Sequence, residues 1–163
     1  METIYLERTT ELRKNLKSLQ KELKVRIALR GKQAIISGDS LDEYEASIIL
    51  DAIGFGFSAQ KALQLKDPDI TFKKVHIKDF TRRKNLKEVI ARVIGSKGQT
   101  KRVLEDISDC DIIIREHDIG IIGDAEGIES TTTAITNIIK GTKQSNAYHY
   151  LEKMNRAKKQ KTT

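Results

Sequence analysis

The chain has 163 residues, a formal net charge of +7 and a single cysteine, Cys110; 38% of its residues are apolar and 33% are charged. This composition predicts a globular protein with a modest core and a heavily charged surface. No apolar run is long enough to cross a bilayer and no secretory signal opens the chain, so we expect a cytoplasmic protein without membrane contact. One cysteine excludes an internal disulfide and a cysteine-cluster metal site, and we expect no cofactor.

The excess positive charge is confined to the second half of the chain. Residues 1–70 contain 11 basic and 11 acidic residues, whereas residues 71–163 contain 19 and 12. Within the second half, residues 71–102 hold 11 basic residues and only two acidic ones, Asp79 and Glu88. A local excess of this kind attracts polyanions. The alternative is an ordinary solvated, lysine-rich face, but the glycine-rich segment beside it favours the polyanion.

The first half of the chain predicts a small α+β unit. TIYLE is typical of a short strand, and KVRIALRGKQAIISGD predicts two further strands around a turn, followed by a helix of about four turns. Between them, apolar residues at helical spacing predict one helix that contains Leu12, Leu16, Leu19 and Leu23. Pro68, the only proline, lies in the turn segment KDPDI and indicates a domain boundary at residues 67–70. We therefore assign residues 1–68 to a first module.

The second half predicts the same order of elements with an insertion. KKVHIKDF is typical of a first strand, two helices then span residues 82–94 and 99–108, and DIIIRE and DIGIIGD predict two strands. A helix with an isoleucine stripe follows over residues 125–140, and Gly141 is its predicted end. Residues 69–156 form the second module, and residues 157–163 form a short basic tail.

The two halves align at an offset of 85 positions. Matching positions in the strands and at the helix ends carry the same residues: Ile27 and Ile112, Arg30 and Arg115, Gly38–Asp39 and Gly123–Asp124, and Gly56 and Gly141. Agreement in both the strand residues and the glycines at the ends of elements indicates a duplication. The first half is shorter upstream of its hairpin, where it lacks about one helix and the glycine-rich loop.

That loop, GSKG at residues 95–98, joins the two predicted helices of the second half. The order of elements in the second half is strand, helix, Gly-x-x-Gly, helix, strand, strand, helix. This order resembles the KH RNA-binding module, whose signature is Ile-Gly-x-x-Gly. Glycines let the backbone approach a sugar–phosphate chain without a Cβ in the way, and the N–H groups that open the following helix attract a phosphate. The alternative is a plain helix–helix turn, for which one glycine is enough. The resemblance implies a narrow apolar groove floored by Ile94 and the DIIIRE strand.

Residues 1–156 as a whole resemble one family, the small-subunit ribosome assembly factors of the Dim-two type, also called partner of Nob-one. A KH-like module without Gly-x-x-Gly precedes a complete one, and GSKGQTKRVLED carries the Gly-x-x-Gly-x-Thr-Lys pattern of the family. The closing segment IIGDAEGIESTTTAITNIIKGTKQSNAYHYLEKM is also similar. The chain is similar to the compact archaeal form, since we expect it to lack the eukaryotic amino-terminal extension.

The resemblance implies an α+β fold with two type I KH-like modules, each a three-stranded antiparallel sheet against helices, the first of them degenerate. It implies binding to the single-stranded 3′ end of small-subunit (16S) rRNA in the pre-small ribosomal subunit, and contact with the endonuclease that cuts there. The first module would contact protein or brace the second. The implied RNA contacts are Arg92, Ile94, Gly95, Ser96, Lys97, Gly98, Lys101 and Arg102. A weaker set is Arg82, Arg83, Lys84 and Lys87.

Two other classes of function were weighed against this one. An enzyme is not expected, because His76, His117 and His149 lack metal-ligand spacing, Cys110 begins an apolar strand, and no Walker lysine motif is present. The second alternative is a general KH protein that acts on mRNA or single-stranded DNA, since the residues do not distinguish the two sugars.

Overall fold

The computed structural model describes residues 1–162, with side chains through Lys161. The chain divides into two compact units, Met1–Phe72 and the part that starts at Lys73. Among the described residues, none of the helices combines the length and the apolar composition that crossing a bilayer requires. Each unit is described by itself below.

The first unit is an antiparallel sheet covered by helices. Its sheet has the order β1-β3-β2, so that β3 is central and both neighbours run antiparallel to it. The elements, in chain order, are β1 Glu2–Tyr5, α1 Thr10–Lys14, α2 Leu16–Leu23, β2 Arg26–Arg30, β3 Gln33–Ser37, α3 Ser40–Phe55 and α4 Ala59–Ala62, followed by a 3₁₀ turn at Leu63–Lys66.

The second unit repeats this plan with longer helices on either side of the glycine loop and a long closing helix. Its sheet has the order β4-β6-β5, which leaves β5 at an edge. The elements are β4 Ile70–His76, which begins at the end of the first unit, α5 Leu86–Ile94, α6 Gln99–Ser108, β5 Asp111–Arg115, β6 Asp118–Asp124, α7 Ala125–Lys140 and α8 Gln144–Thr162, with 3₁₀ turns at Ile77–Asp79 and Ser96–Gly98. The predicted fold class, α+β with two three-stranded sheets, is confirmed.

The 85-residue repeat extends to individual hydrogen bonds and backbone torsion angles. In the first unit the Ile27 N–H donates to Gln20 Oε1 at 2.9 Å, and in the second the Ile112 N–H donates to Glu105 Oε2 at 3.0 Å. Residues with positive φ also recur at this offset: Lys24 (59°) and Asp109 (58°), Gly31 (59°) and Glu116 (54°), and Gly56 (140°) and Gly141 (117°). The two units therefore share their helix ends and hairpin turns as well as their strand order.

The helix predicted from the leucines of the first unit is wrong in one respect, because it is interrupted at Asn15. Asn15 has φ −113° and ψ 15°, outside helical geometry, and separates α1 from α2. Its side-chain Nδ2 donates to the Glu11 carbonyl at 2.8 Å, a local bond that competes with the helical hydrogen-bond pattern. The first unit therefore keeps a five-residue helix, α1, where the second has α5 and the glycine loop.

Helix α5 starts four residues later than predicted, at Leu86 instead of Arg82. The Thr81 hydroxyl accepts the Arg83 N–H at 3.2 Å in a local turn, and Asn85, a residue favoured before the first helical turn, occupies the N-cap. At the other end of the chain, α8 continues through residues 157–162, which the sequence assigned to a separate tail. Thr163, the last residue of that predicted tail, lies outside the described residues.

The core of the second unit is built from the isoleucines of β5, β6 and α7 and from one face of α5 and α6. Helix α8 joins this core through Ala147 and Leu151, each 1% exposed. The N-terminal half of α8 is therefore part of the unit's hydrophobic core and holds α8 against α7.

Candidate nucleic-acid interface

The loop at residues 95–98 makes a tight turn between α5 and α6. The backbone has φ +78° at Gly95, +55° at Lys97 and +75° at Gly98, so three of its four residues lie at positive φ. The Gly95 N–H donates to the Ala91 carbonyl at 2.8 Å and the Gly98 N–H donates to the Gly95 carbonyl at 3.1 Å. These bonds fix the turn and leave Ser96 and Lys97 exposed at its tip.

The two glycines of the loop have different roles. A Cβ on Gly95 would overlap Thr100 Oγ1 and lie 2.5 Å from the Thr100 nitrogen, so the first turn of α6 occupies the space beside it. A Cβ on Gly98 would meet no atom within 4 Å. Gly95 is therefore required by the packing of the unit, whereas Gly98 leaves open space beside the backbone, into which another chain can come close.

Two of the predicted basic contacts are engaged within α6 and the loop. The Arg102 Nη2 donates to the Lys97 carbonyl at 2.9 Å and so braces the loop. The Lys101 ammonium pairs with Glu105 Oε1 at 2.9 Å, and the other oxygen of Glu105 accepts the Ile112 N–H of the edge strand β5. Lys97 has no ion pair among the described residues, so the strongest uncompensated charge of the loop is at its tip.

Arg92 has a different environment from the rest of the predicted set. Its guanidinium donates to the Ile138 carbonyl, in the last turn of α7, at 2.8 Å and to the Thr142 carbonyl, in the connection that follows α7, at 2.7 Å. Gln144 Nε2 donates to the Arg92 carbonyl at 3.4 Å. The structure thus gives Arg92 a role in joining α5 to the α7–α8 connection.

The weaker set lies before and at the start of α5. Arg82, Arg83 and Lys84 are in the loop that precedes the helix, Lys87 is in its first turn, and all four side chains are exposed. The Arg83 guanidinium lies beside Gly141, at the end of α7. Sequence reasoning did not single out two further exposed lysines next to that position, Lys140 and Lys143.

The residues predicted to floor the groove lie at the end of α5 and in the edge strand β5. Ile94 is half-buried at the end of α5, and in β5 Ile112 is buried while Ile113 and Ile114 are half-buried. Arg115, at the end of β5, has a buried Nε that finds no hydrogen-bond partner among the described residues. An edge strand keeps its outward backbone N–H and C=O groups available for pairing, except here the Ile112 N–H, which Glu105 accepts.

The environments of His76 and Cys110 bear on the enzyme alternative. His76 Nδ1 lies 2.6 Å from Asp118 Oδ1, and this hydrogen bond raises the pKa of His76. Burial raises the pKa of the Cys110 thiol, which disfavours the reactive thiolate. Within residues 1–162, no group of three or more His, Cys, Asp or Glu side chains is placed to hold a metal ion.

The order of elements and the Gly-x-x-Gly turn define the second unit as a type I KH domain. Residues 71–156 match the family model of the second KH domain of PNO1 proteins, described as a eukaryotic type KH-domain, KH-domain type I. The match covers just over half of the chain. The chain therefore belongs to the Dim2/PNO1 family.

Named relatives and solved structures are similar over most of the chain. A KH domain-containing protein of Methanocaldococcus jannaschii is 26% identical over 144 residues, covering 84% of this chain and 63% of the relative. RNA-binding protein pno-1 of Caenorhabditis elegans is 26% identical over 141 residues, covering 81% and 51%. A chain in the crystal structure of the a/eIF2alpha–aDim2p–rRNA complex from Pyrococcus horikoshii superposes with a TM-score of 0.86 at 26% identity, covering 96% and 94%. The chain thus spans only 63% and 51% of the length of these two curated relatives.

Proposed function

We propose that this protein binds single-stranded RNA through its second unit and acts in ribosome biogenesis. One observation carries the proposal: the loop at residues 95–98 presents the unpaired Lys97 at its tip, next to the open side of Gly98. This arrangement places a positive charge and a backbone without a Cβ at one point of the surface. A plain helix–helix turn requires neither feature.

The chemistry of binding follows from these groups. A phosphate approaches the open side of Gly98, where the N–H groups that open α6 and the positive end of its dipole stabilise negative charge. Lys97 neutralises a second phosphate or shares the first. The bases then lie toward Ile94 and β5, where apolar side chains support them and free strand-edge groups hydrogen-bond to their edges.

We further propose that the RNA is the 3′ end of small-subunit rRNA, and that the protein assists its maturation by an endonuclease on the pre-small subunit. The family resemblance supports this target, as does the aDim2p structure from P. horikoshii, which is a complex with rRNA. The first unit has no counterpart of the glycine loop and no excess of positive charge in residues 1–70. RNA binding is therefore assigned to the second unit.

Cross-linking in cells, followed by sequencing of the bound RNA, tests the target. We expect the reads to concentrate at the 3′ end of small-subunit rRNA and to be lost in the Ser96→Asp/Lys97→Asp variant. Reads spread over mRNAs, and lost in the same variant, would support RNA binding by the loop but reject the rRNA assignment. Reads that persist in the variant would reject the loop as the binding site.

A further inference from the structure

One face of helix α3 in the first unit exposes large apolar side chains. Leu41 is 82% exposed, Tyr44 64% and Ile48 36%, at the spacing of one helix face. Together with Tyr5 of β1, which is 64% exposed, they line a groove of about 1060 Å³. In the rest of the described chain, the large apolar side chains that are exposed to this degree are Met1 and Met154. A concentration of apolar surface on one unit is typical of a protein-binding face.

The charges around this groove define the chemistry of its partner. Its lining includes four carboxylates and one basic residue, and the acidic members are Glu2, Asp42, Glu45 and Asp51. The basic one, Lys66, directs its ammonium to Glu22 at 3.4 Å. The groove is therefore negative around an apolar centre, which opposes RNA and favours a partner with apolar and basic residues.

The second unit has a pocket at the equivalent place, and a basic amphipathic helix borders it. At the 85-residue offset, α3 residues 41, 42, 44 and 45 correspond to α7 residues 126, 127, 129 and 130. These α7 residues, with Leu151, Met154 and Lys158 of α8, line a pocket of about 270 Å³ between the two helices. Helix α8 is amphipathic and basic: Leu151 is buried, and the Lys158 ammonium forms an ion pair with Asp124, the N-cap residue of α7.

The first unit has the same acidic residue at the start of α3. Residues 59–66, which form α4 and its 3₁₀ turn, are the counterpart of the first half of α8, whereas the counterpart of its second half is not α-helical. Asp39, the N-cap residue of α3, is the counterpart of Asp124, and it is exposed. Its side chain makes no capping hydrogen bond, whereas Asp124 accepts both the Gly127 N–H at 2.7 Å and the Lys158 ammonium. The acidic N-cap of α3 therefore lacks the basic partner that α8 supplies to α7. Glu126 and Glu129, the counterparts of Leu41 and Tyr44, stay exposed, so α8 borders the equivalent face of α7 without covering it.

We propose that the Leu41–Tyr44–Ile48 face of α3 binds a basic amphipathic helix of a partner protein, whose apolar side chains fill the groove and whose basic side chains pair with its acidic rim. Helix α8 of a second copy is a poorer occupant, because its Ala147 and Leu151 are already buried in its own unit. All residues that line the groove precede Lys73, so none of them belongs to the RNA-binding surface proposed above.

A synthetic peptide of residues 144–162, with blocked ends, is a probe of the required chemistry. It is titrated into the full, isotope-labelled chain, and amide chemical shifts report where it binds. We expect saturable binding with shifts centred on α3 and β1. The same peptide with its lysines replaced by glutamates should not bind. Shifts confined to α6, α7 and α8 would mean that the peptide displaces the chain's own α8, and would overturn the proposal.

Two variants test the apolar and the charged parts of the groove separately. Leu41→Ala/Tyr44→Ala and Glu2→Lys/Glu45→Lys should each weaken peptide binding at least tenfold, since aromatic anchors and complementary charges dominate such interfaces. Asp106→Lys/Glu152→Lys, which changes the net charge equally at exposed positions of the second unit, should leave the affinity within twofold. Equal weakening by this control would reduce the binding to nonspecific charge attraction and reject the site.

Light scattering and competition decide between the other occupants. A monomeric chain whose peptide binding is unaffected by single-stranded RNA supports the proposal. A dimer that Leu41→Ala/Tyr44→Ala dissociates would assign the groove to a second copy. Displacement of the peptide by RNA would assign it to nucleic acid, and either result would overturn the partner helix.

Discussion

The two glycines of the loop should differ sharply when each is replaced by alanine. Gly95 has φ +78° and ψ 170°, a backbone conformation that a residue with a Cβ adopts at a cost of about 1–3 kcal/mol. Its new Cβ would also overlap Thr100 at the start of α6, and overpacking of this kind costs about 1–3 kcal/mol. Gly95→Ala should therefore lower the free energy of unfolding by about 2–6 kcal/mol.

Gly98 has φ +75° and ψ 13°, in the left-handed helical region, with open space beside it. Alanine there costs about 1–2 kcal/mol, and about 0.4–1 kcal/mol returns through the lower entropy of the unfolded chain. Gly98→Ala should therefore cost about 1 kcal/mol, and Gly98→Asn less, because asparagine tolerates this conformation.

Urea denaturation of the full chain, followed by far-UV circular dichroism, measures these losses. RNA titration of the same variants separates folding from binding: Gly98→Ala should fold and bind RNA weakly, since its methyl group fills the open side of the loop. Equal losses of stability for the two alanine variants would refute the assignment of different roles to the two glycines.

Three further predictions concern side chains of the second unit. Arg92→Ala should lower the free energy of unfolding by about 1.5–3 kcal/mol, because the carbonyls of Ile138 and Thr142 lose a charged donor; urea denaturation measures this loss, and an unchanged midpoint would exclude a role for Arg92 in joining α5 to the α7–α8 connection. Burial acts to raise the pKa of Asp124, but hydrogen bonds from Lys158 and from a backbone amide outweigh it and lower the pKa below 3.8. The resulting stabilisation is present above pH 3.8 and is lost as the pH falls through the folded pKa. Asp124→Asn should therefore be less stable than the wild type by up to about 1 kcal/mol at pH 7. Acid denaturation curves should show this difference vanish below the folded pKa of Asp124. The hydrogen bond and the charge of Asp118 raise the pKa of His76 above 6.5, so the His76–Asp118 pair stabilises the unit below that pH and less as the pH rises through the folded-state pKa. An NMR titration should show a lower His76 pKa in Asp118→Asn. An unchanged pKa would exclude Asp118 as the cause of the shift.

The elements with strong local signals were predictable from the sequence. The predicted bounds of α6 and α7 agree with the structure, because amphipathic periodicity and glycines mark their ends. Asn15 and residues 82–85 were mispredicted because there a side chain bonds to nearby backbone, and such bonds compete with helical periodicity without changing the apolar pattern.

The environment of the candidate site was less predictable, because it depends on residues far apart in the chain. Arg92 was assigned to RNA from its position before the loop, yet its partners lie 46 and 50 residues away. The bridge from Lys101 through Glu105 to the edge strand likewise joins two elements whose relative position the sequence does not contain. Leu41, Tyr44 and Ile48 have the spacing of an ordinary core face, and only the structure shows them exposed.

The loop at residues 95–98 is proposed to bind the RNA backbone in addition to forming a turn. The most direct measurement is titration of a single-stranded RNA matching the 3′ end of small-subunit rRNA into the wild type and into Ser96→Asp/Lys97→Asp, beside thermal melts of both. A matched control is Lys17→Asp/Ser18→Asp, which places the same changes at exposed positions of α2 in the first unit.

The loop variant should lose less than about 0.5 kcal/mol of stability, because both side chains are exposed. Loss of a charge-assisted contact of about 1.5–3 kcal/mol, with added repulsion, should weaken RNA binding at least tenfold and flatten its salt dependence. The control should bind RNA within about twofold of the wild type, a change of under 0.5 kcal/mol. An unchanged RNA affinity in a loop variant that melts normally would contradict the account, and would leave the loop as a turn between two helices.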